Sequence, residues 1–226
     1  MCGRYVFTST ADAMLKLFGL SVDAAPPDRF NIAPGQFSLT LRAGEAGPVP
    51  ATARWGLVPH WAKDPAIAYK MINARSETAA EKPAFREALQ QRRCLVPASA
   101  FYEWQSERSP KQPYAIYAED RQPFAFAGLW ERWGDPEQPL ETFTVLTRAA
   151  DQSISWLHAR MPVVVKPDNF DDWLSGPAPL AQELLRQPTP FQWATHPVST
   201  KVNGARAEGA DLLEPTPLQP SQGSLF

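Results

Sequence analysis

The sequence predicts an α+β fold that is β-rich, with antiparallel sheets forming a barrel-like core and short helices at its periphery. Two observations carry that expectation. Proline occurs 24 times in 226 residues, about twice the usual rate of roughly 5 %. Each proline removes a backbone donor and fixes φ, so long helices are penalised and a helical bundle is excluded. From Cys94 onward, short apolar segments recur about every 10–20 residues with turn residues between them, the pattern of a barrel or sandwich. A chain of this length, 44 % hydrophobic, buries a core without staples. One domain over residues 2–214 is expected, followed by a disordered tail over 215–226.

The first element is a helix over Ala11–Phe18. Ser9 or Thr10 caps its start, Gly19 closes it, and Met14, Leu15 and Phe18 share an apolar face. A proline-rich stretch leads to Phe30–Gly35. Strands are expected at 37–41 and 51–57, and a helix over 83–90 with Pro83 in its first turn. Further strands are expected at 94–97, 100–104, 114–118, 124–130, 142–147 and 161–165. Short helices are expected at 152–157, 168–174 and 180–186.

Charge and cysteine content exclude several function classes. Lys and Arg number 22 and Asp and Glu 24, a net charge of −2. That argues against a charge-dominated nucleic-acid binder, though not against a local basic site. Residues 1–110 carry a balance of +3 and residues 111–226 one of −5. Two cysteines, Cys2 and Cys94, are too few for a disulfide scaffold, and neither has metal-ligand spacing. No metal or cofactor is expected. Nothing approaches the roughly 18–20 apolar residues of a membrane span, and the N-terminus lacks the regions of a signal peptide. A cytoplasmic monomer with reduced thiols is expected.

Cys2 is the most informative residue. Removal of the initiator methionine, usual before a small residue, would leave a 1,2-aminothiol. An α-amine titrates at about 7.7–8.0 and a thiol at about 8.5, so both are partly deprotonated near neutral pH. Such a pair can condense with an aldehyde and close to a thiazolidine. It can also use the amine as base while the thiolate attacks a carbonyl. The bland alternative is a small residue that begins a strand. Gly3 permits close backbone approach, and Arg4 can hold an anion beside the nucleophile.

Several further segments are specific as an ordered set. They are Phe30-Asn31-Ile32-Ala33-Pro34, Trp55-Gly56-Leu57-Val58-Pro59-His60-Trp61 and Ile72-Asn73-Ala74-Arg75-Ser76-Glu77-Thr78. Then follow Arg93-Cys94-Leu95-Val96-Pro97, Phe101-Tyr102-Glu103-Trp104, His158-Ala159-Arg160-Met161-Pro162 and the Val198–Asn203 segment. With Met1-Cys2-Gly3-Arg4-Tyr5 in front, the series resembles the SRAP family, the SOS-response-associated peptidase-like proteins, over roughly residues 2–215. The resemblance implies a DNA-damage protein that binds abasic sites in single-stranded DNA, at single-strand to double-strand junctions, near replication forks of a bacterial nucleoid. It implies that the protein traps the ring-opened sugar aldehyde as a covalent thiazolidine, shielding the lesion.

Carried over by position, Cys2 matches the nucleophile and Asn73 the asparagine that hydrogen-bonds the crosslinked centre. Glu103 matches the acid that assists proton transfer, and His158 the histidine that protonates the sugar oxygen. Ring opening and carbinolamine dehydration need such an acid–base set. Each residue has a structural alternative: a turn-capping Asn, a surface Glu, a satisfied His. Arg4, Arg75 and Arg160 lie within two residues of these positions and suit phosphate; ion pairs with Glu77 or Asp151 are the alternative. Trp61 and Trp104, and with less support Trp55, offer faces for base stacking. Pro34 matches the family's strand-separating wedge, and Asn31 could bond backbone or phosphate. Cys94 reads as a buried apolar residue.

The ending Gln222-Gly223-Ser224-Leu225-Phe226 resembles the pentapeptide by which bacterial repair proteins bind the sliding clamp. Gly223 departs from the usual Leu. Gln222, Leu225 and Phe226 are the implied contacts. The alternative function is a thiol (auto)peptidase in which Cys2 is the nucleophile.

Overall fold

The computed structural model describes residues 2–8, 10–20, 27–105 and 110–218. The N-terminal half contributes β1 (Tyr5–Phe7), α1 (Ala11–Phe18), β2 (Arg29–Ile32), β3 (Phe37–Arg42), β4 (Val49–Trp55), β5 (Asn73–Arg75), α2 (Arg86–Gln91), β6 (Arg93–Ala98) and β7 (Ala100–Gln105). The C-terminal half adds β8 (Gln112–Ala118), β9 (Phe124–Trp133), β10 (Leu140–Ala149), β11 (Arg160–Pro162), β12 (Val164–Val165), α3 (Phe170–Ser175), α4 (Ala178–Leu184) and β13 (Trp193–Pro197).

Strands β3, β4, β10, β9 and β6 pair in a closed ring, with β5, β11 and β12 attached to it. This is the barrel. A second sheet runs β13-β8-β7-β1-β2. Closure leaves the ring without an open edge. The expectation of antiparallel sheets holds for most pairs, but β10 pairs parallel with both β4 and β5. Those strands are distant in sequence, so no hairpin dictates their direction.

Aromatic rings join the two sheets. Tyr5 meets Trp55 edge-on at 5.2 Å and Phe126 at 6.0 Å between ring centroids. Trp55 stacks on Phe143 in turn, at 6.2 Å. Trp55 is fully buried and its indole N–H donates to Ile72 O at 2.8 Å. It is a core residue, which removes it as a DNA-stacking candidate. Cys94 is buried in the same core.

Local signals explain α1. Thr10 Oγ1 accepts from Ala13 N at 3.2 Å, and Gly19 closes the helix in the left-handed region at φ 68. Elsewhere the elements shift. The expected helix over 152–157 is a run of turns, in which Ile154 N and Leu157 N bond back three residues at 3.0 Å each. The helix expected from Pro83 begins at Arg86, after turns over 77–85. The strand expected over 161–165 divides at Val163, where the chain passes from β10 to β9.

Arg93 locks the helices to the barrel. It is 5 % exposed and its guanidinium donates to Leu89 O at 2.7 Å, Gln90 O at 3.0 Å, Trp173 O and Gly176 O. These carbonyls lie at the C-terminal ends of α2 and α3, where backbone acceptors are unfilled and cations are favoured. At the far end of the chain, Thr216 N still donates to Pro197 O at 2.9 Å. Gln222, Leu225 and Phe226 lie outside the described residues. No helix among the described residues is long and apolar enough to cross a membrane.

Candidate active site

Three strands bring four of the sequence-predicted residues together. β1 pairs antiparallel with β7, Tyr5 opposite Phe101. The pairing extends outward: Tyr102 N donates to Arg4 O at 3.0 Å. That register carries Glu103 to the level of the N-terminal residues. On the other side Asn73, the first residue of β5, lies opposite Val145 of β10. Its side-chain Nδ2 donates to Cys2 O at 2.7 Å. Cys2 is therefore clamped by an amide from the barrel while its own strand is zipped to the second sheet.

Cys2 is wholly buried, and its thiol donates to Arg4 O at 3.7 Å. Burial pushes the thiol well above its ordinary range, and the Glu103 charge adds to that. The resting group is a neutral thiol. Asn73 Oδ1 is buried and has no hydrogen-bond partner among the described residues. An acceptor is thus left on the same amide that holds Cys2. Glu103 is 4 % exposed. Burial raises its carboxyl above the usual range, and the nearby His158 works against that rise.

His158 sits in the loop between β10 and β11. Its Nδ1 accepts from Arg160 N at 2.9 Å. In the neutral ring the proton is then assigned to Nε2, which leaves Nε2 as a donor. Asp151 anchors this loop through Arg148 at 2.8 Å, Thr189 at 2.6 Å and Trp193 at 3.2 Å. Among the described residues no three His, Cys, Asp or Glu side chains form a metal-binding group.

A buried thiol, a buried carboxyl, a histidine and an amide oxygen with no hydrogen-bond partner among the described residues are thus assembled around Cys2. The family model for SRAP, SOS response associated peptidase, matches residues 1–205 of this chain. The chain belongs to the SRAP family. The chain is 37 % identical over 224 residues to a Bacillus subtilis protein named abasic site processing protein YoqW, covering 95 % of this chain and 99 % of that one. It is 32 % identical over 227 residues to abasic site processing protein YedK of Escherichia coli, covering 95 % and 100 %. A crystal structure of a Bacteroides thetaiotaomicron protein shares the fold, with a TM-score of 0.82 at 21 % identity over 95 % of this chain and all of that one.

The remaining candidates of this SRAP chain separate into three groups. Arg75 is exposed on β5 and has no ion pair among the described residues. Arg4 is half-buried; Nη1 donates to Gly3 O at 2.7 Å, burial lowers its pKa, and Nε has no partner. Trp61 is 52 % exposed and Pro34 partly exposed. These four are open to a ligand.

Arg160 and Trp104 are engaged in the fold. Both Arg160 nitrogens bind Glu77, at 2.7 and 2.9 Å, and Nη2 also reaches Thr147. Arg160 in turn holds the Glu77 carboxyl below its usual range. Trp104 Nε1 donates to Asn203 Oδ1 at 2.7 Å. Asn31 is completely buried, and its amide donates to the carbonyls of Val202, Gly204 and Ala207 at 3.4, 2.9 and 3.0 Å. It ties the C-terminal loop to β2, with no amide hydrogen left for phosphate. His60 Nδ1 lies 3.4 Å from Glu131.

Sequence reasoning missed Thr147 and Asp151. Thr147 is fully buried and bridges Ala74 O to Arg160. It is one of three threonines in β10, with Thr142 and Thr144, so nothing in the sequence set it apart. Asp151 had only its place after β10.

Proposed function

We propose that this protein captures abasic sites in single-stranded DNA by a covalent thiazolidine link through Cys2 once Met1 is removed. The observation that supports this most directly is the Asn73 clamp on the Cys2 carbonyl beside buried Glu103 and His158. The names of YoqW and YedK agree with the lesion class.

The chemistry follows from the residues. In its imidazolium form His158 gives the Nε2 proton to the ring oxygen of the deoxyribose hemiacetal as Glu103 takes the hydroxyl proton, opening the ring to the aldehyde and leaving a neutral imidazole. The Cys2 amine attacks the aldehyde carbon to give a carbinolamine. Protonated Glu103 donates to the departing hydroxyl, and water leaves with formation of the C=N bond. The Cys2 sulfur then adds to that carbon and its proton passes to nitrogen, closing the five-membered ring. Asn73 Oδ1 accepts the N–H of the reacting centre. The sequence amine first, thiol second matches a thiol that burial keeps protonated. A peptidase that begins with thiolate attack fits that burial less well.

Arg4 and Arg75 supply phosphate contacts next to the lesion, with Pro34, Trp61 and the outer face of Trp104 beside the bases. Arg160 acts chiefly by holding the His158 loop to Glu77. The tail residues Gln222, Leu225 and Phe226 serve sliding-clamp binding.

The test is a denaturing gel of protein mixed with an abasic single-stranded oligonucleotide. A heat-stable adduct is expected, absent with intact DNA and absent in Cys2→Ala. An undiminished adduct in Cys2→Ala refutes the mechanism.

A further inference from the structure

We infer that a cleft on the other side of the Trp55 wall is a second nucleotide subsite, which binds one unit of the DNA strand next to the lesion through Tyr69 and Arg54. The inference rests on the reading of this chain as a single-strand DNA binder. It assigns two residues that no sequence motif singled out.

The cleft has a volume of about 310 Å³ and is lined by Pro34, Gly35, Arg54, Asp64, Tyr69 and Ile72, among others. Tyr69 is the most exposed large hydrophobic side chain of the described residues, at 77 %. It stands on a short 3-10 turn over Pro65–Lys70 whose start is capped by Asp64 Oδ1 on Ala66 N, at 2.8 Å. The aromatic ring is thus presented to solvent from a pinned turn rather than from a loose loop. Exposed aromatic rings cost solubility, and their recurrent use is stacking against a base, which every base can satisfy.

Arg54 supplies the charge. It lies on β4 between Ala53 and Trp55, both fully buried, so it faces the opposite way from the core. Its Nε is buried without a hydrogen-bond partner, and no ion pair engages it among the described residues. A guanidinium with no ion pair among the described residues is available to an anion that comes from outside. Asp64 lines the same cleft, and its Oδ1 caps the turn rather than pairing with Arg54.

Two further observations place the cleft on a strand path. Ile72 lines the cleft and immediately precedes Asn73; its carbonyl accepts from Trp55 Nε1, and Trp55 meets Tyr5, three residues after Cys2. The cleft lining therefore adjoins Asn73 of the proposed crosslinking site along the chain. On the far side of the turn a hollow of about 400 Å³ carries Trp61, Lys63 and Lys70. An aromatic with cations follows on each face of the turn, which is the alternation that a phosphate–base–phosphate chain requires. A nucleotide is also the ligand that uses both partners at once: its base covers Tyr69 and its phosphate meets Arg54.

The experiment measures reversible binding of an intact, lesion-free oligonucleotide to Cys2→Ala protein by fluorescence anisotropy across a salt series. Tyr69→Ala is expected to weaken binding about 5- to 100-fold, with Tyr69→Phe close to the parent. Arg54→Gln is expected to flatten the slope of log Kd against log salt by about 0.7, one single-strand phosphate contact, with Arg54→Lys retaining the slope. Unchanged affinity in Tyr69→Ala, or an unchanged slope in Arg54→Gln, overturns the subsite. Circular dichroism of each variant separates misfolding from lost contact, and Tyr69→Ala, at an exposed position, carries the decision if Arg54→Gln does not fold. Because no covalent step enters this assay, a protein that binds here yet forms no adduct with abasic DNA refutes the crosslinking reading and leaves the subsite standing.

Discussion

Replacing Asn73 by Ala removes two things at once: the Nδ2–H that holds Cys2 O at 2.7 Å, and the unpartnered Oδ1 beside it. The first loss can be sized. A hydrogen bond of this kind contributes about 1 kcal/mol net, and leaving a buried acceptor unmade costs about 1–3 kcal/mol. Asn73 is only half-buried, so water can reach the vacated space and the lower end applies, about 1 kcal/mol. That lowers Tm by about 2–4 °C for a domain of this size. The second loss is felt only when the reacting nitrogen donates to Oδ1, and costs about 1 kcal/mol more. The two together, about 2 kcal/mol, slow adduct formation roughly 30-fold if both act in the transition state. The assay is single-turnover adduct formation on an abasic oligonucleotide with saturating protein, followed on a denaturing gel. Affinity for intact DNA should not change, since neither contact reaches a phosphate. A variant within threefold of the parent rate would show that the clamp on Cys2 does not prepare the reaction.

Glu103→Gln should slow adduct formation by about 10²–10⁴, the usual range for losing a general acid or base. It should also stabilise the protein at neutral pH. The folded carboxyl titrates above its unfolded value because of burial, so the folded state holds its proton more tightly. Parent stability then falls as pH rises from the unfolded pKa through the folded one and stays lower above it. Calorimetry from pH 4 to 8 should show a Tm advantage for Gln that is small in acid and grows with pH; a constant difference would contradict this. Arg93→Leu should lower stability by at least ~3 kcal/mol, because four helix-end carbonyls lose their donor, and thermal unfolding reads it; a loss below about 1 kcal/mol would mean that water replaces the guanidinium. A peptide of residues 218–226 should bind the bacterial sliding clamp and lose binding with Phe226→Ala; no binding at about 100 μM removes the clamp reading.

The parts of the fold legible in the sequence are those set by local chemistry. Thr10 and Gly19 bracket α1 because a hydroxyl cap and a left-handed glycine act within a few residues. The longer strands β9 and β10 announce themselves by composition, though each runs two to three residues further than expected. The short strands β1, β2, β5 and β13 exist only through their partners. Asn73–Arg75 is a strand because β10 runs on past the end of β4 and β5 takes up the pairing there, and three residues carry no periodicity of their own. The same division holds at the site. Cys2, Asn73, Glu103 and His158 could be named from motif order, yet the clamp of Asn73 on the Cys2 carbonyl lies 71 residues apart in sequence. For Asn31 and Arg160 the sequence left a scaffold role and a DNA contact both open, for one reason. A polar side chain beside a functional motif serves the scaffold as readily as the ligand, and only the partner decides. For Asn31 the partners are carbonyls of the C-terminal loop, and for Arg160 the partner is Glu77.

The burial of Cys2 also bears on selectivity. A thiolate exposed near neutral pH reacts with oxidants and with electrophiles at large. Here burial and the Glu103 charge keep the thiol protonated, so sulfur is a poor nucleophile until a carbon has been bound to the adjacent nitrogen. Only an aldehyde that enters the site and condenses with the amine meets that condition, and Glu103 is then placed to move the proton that sulfur must release. Selectivity of this sort does not need strong prior binding. Under the proposed crosslinking mechanism, weak reversible contacts through a few cations would deliver the strand and the covalent bond would hold it, which reconciles the net charge of −2 with a nucleic-acid substrate. The expected signature is a shallow salt dependence of initial binding, with a slope of log Kd against log salt near +2 for the two or three phosphates that Arg4, Arg75 and Arg54 can meet. The adduct, once formed, should resist high salt entirely. A slope steeper than about +5 would require a broad basic surface, and no such surface was expected from the charge balance of this chain.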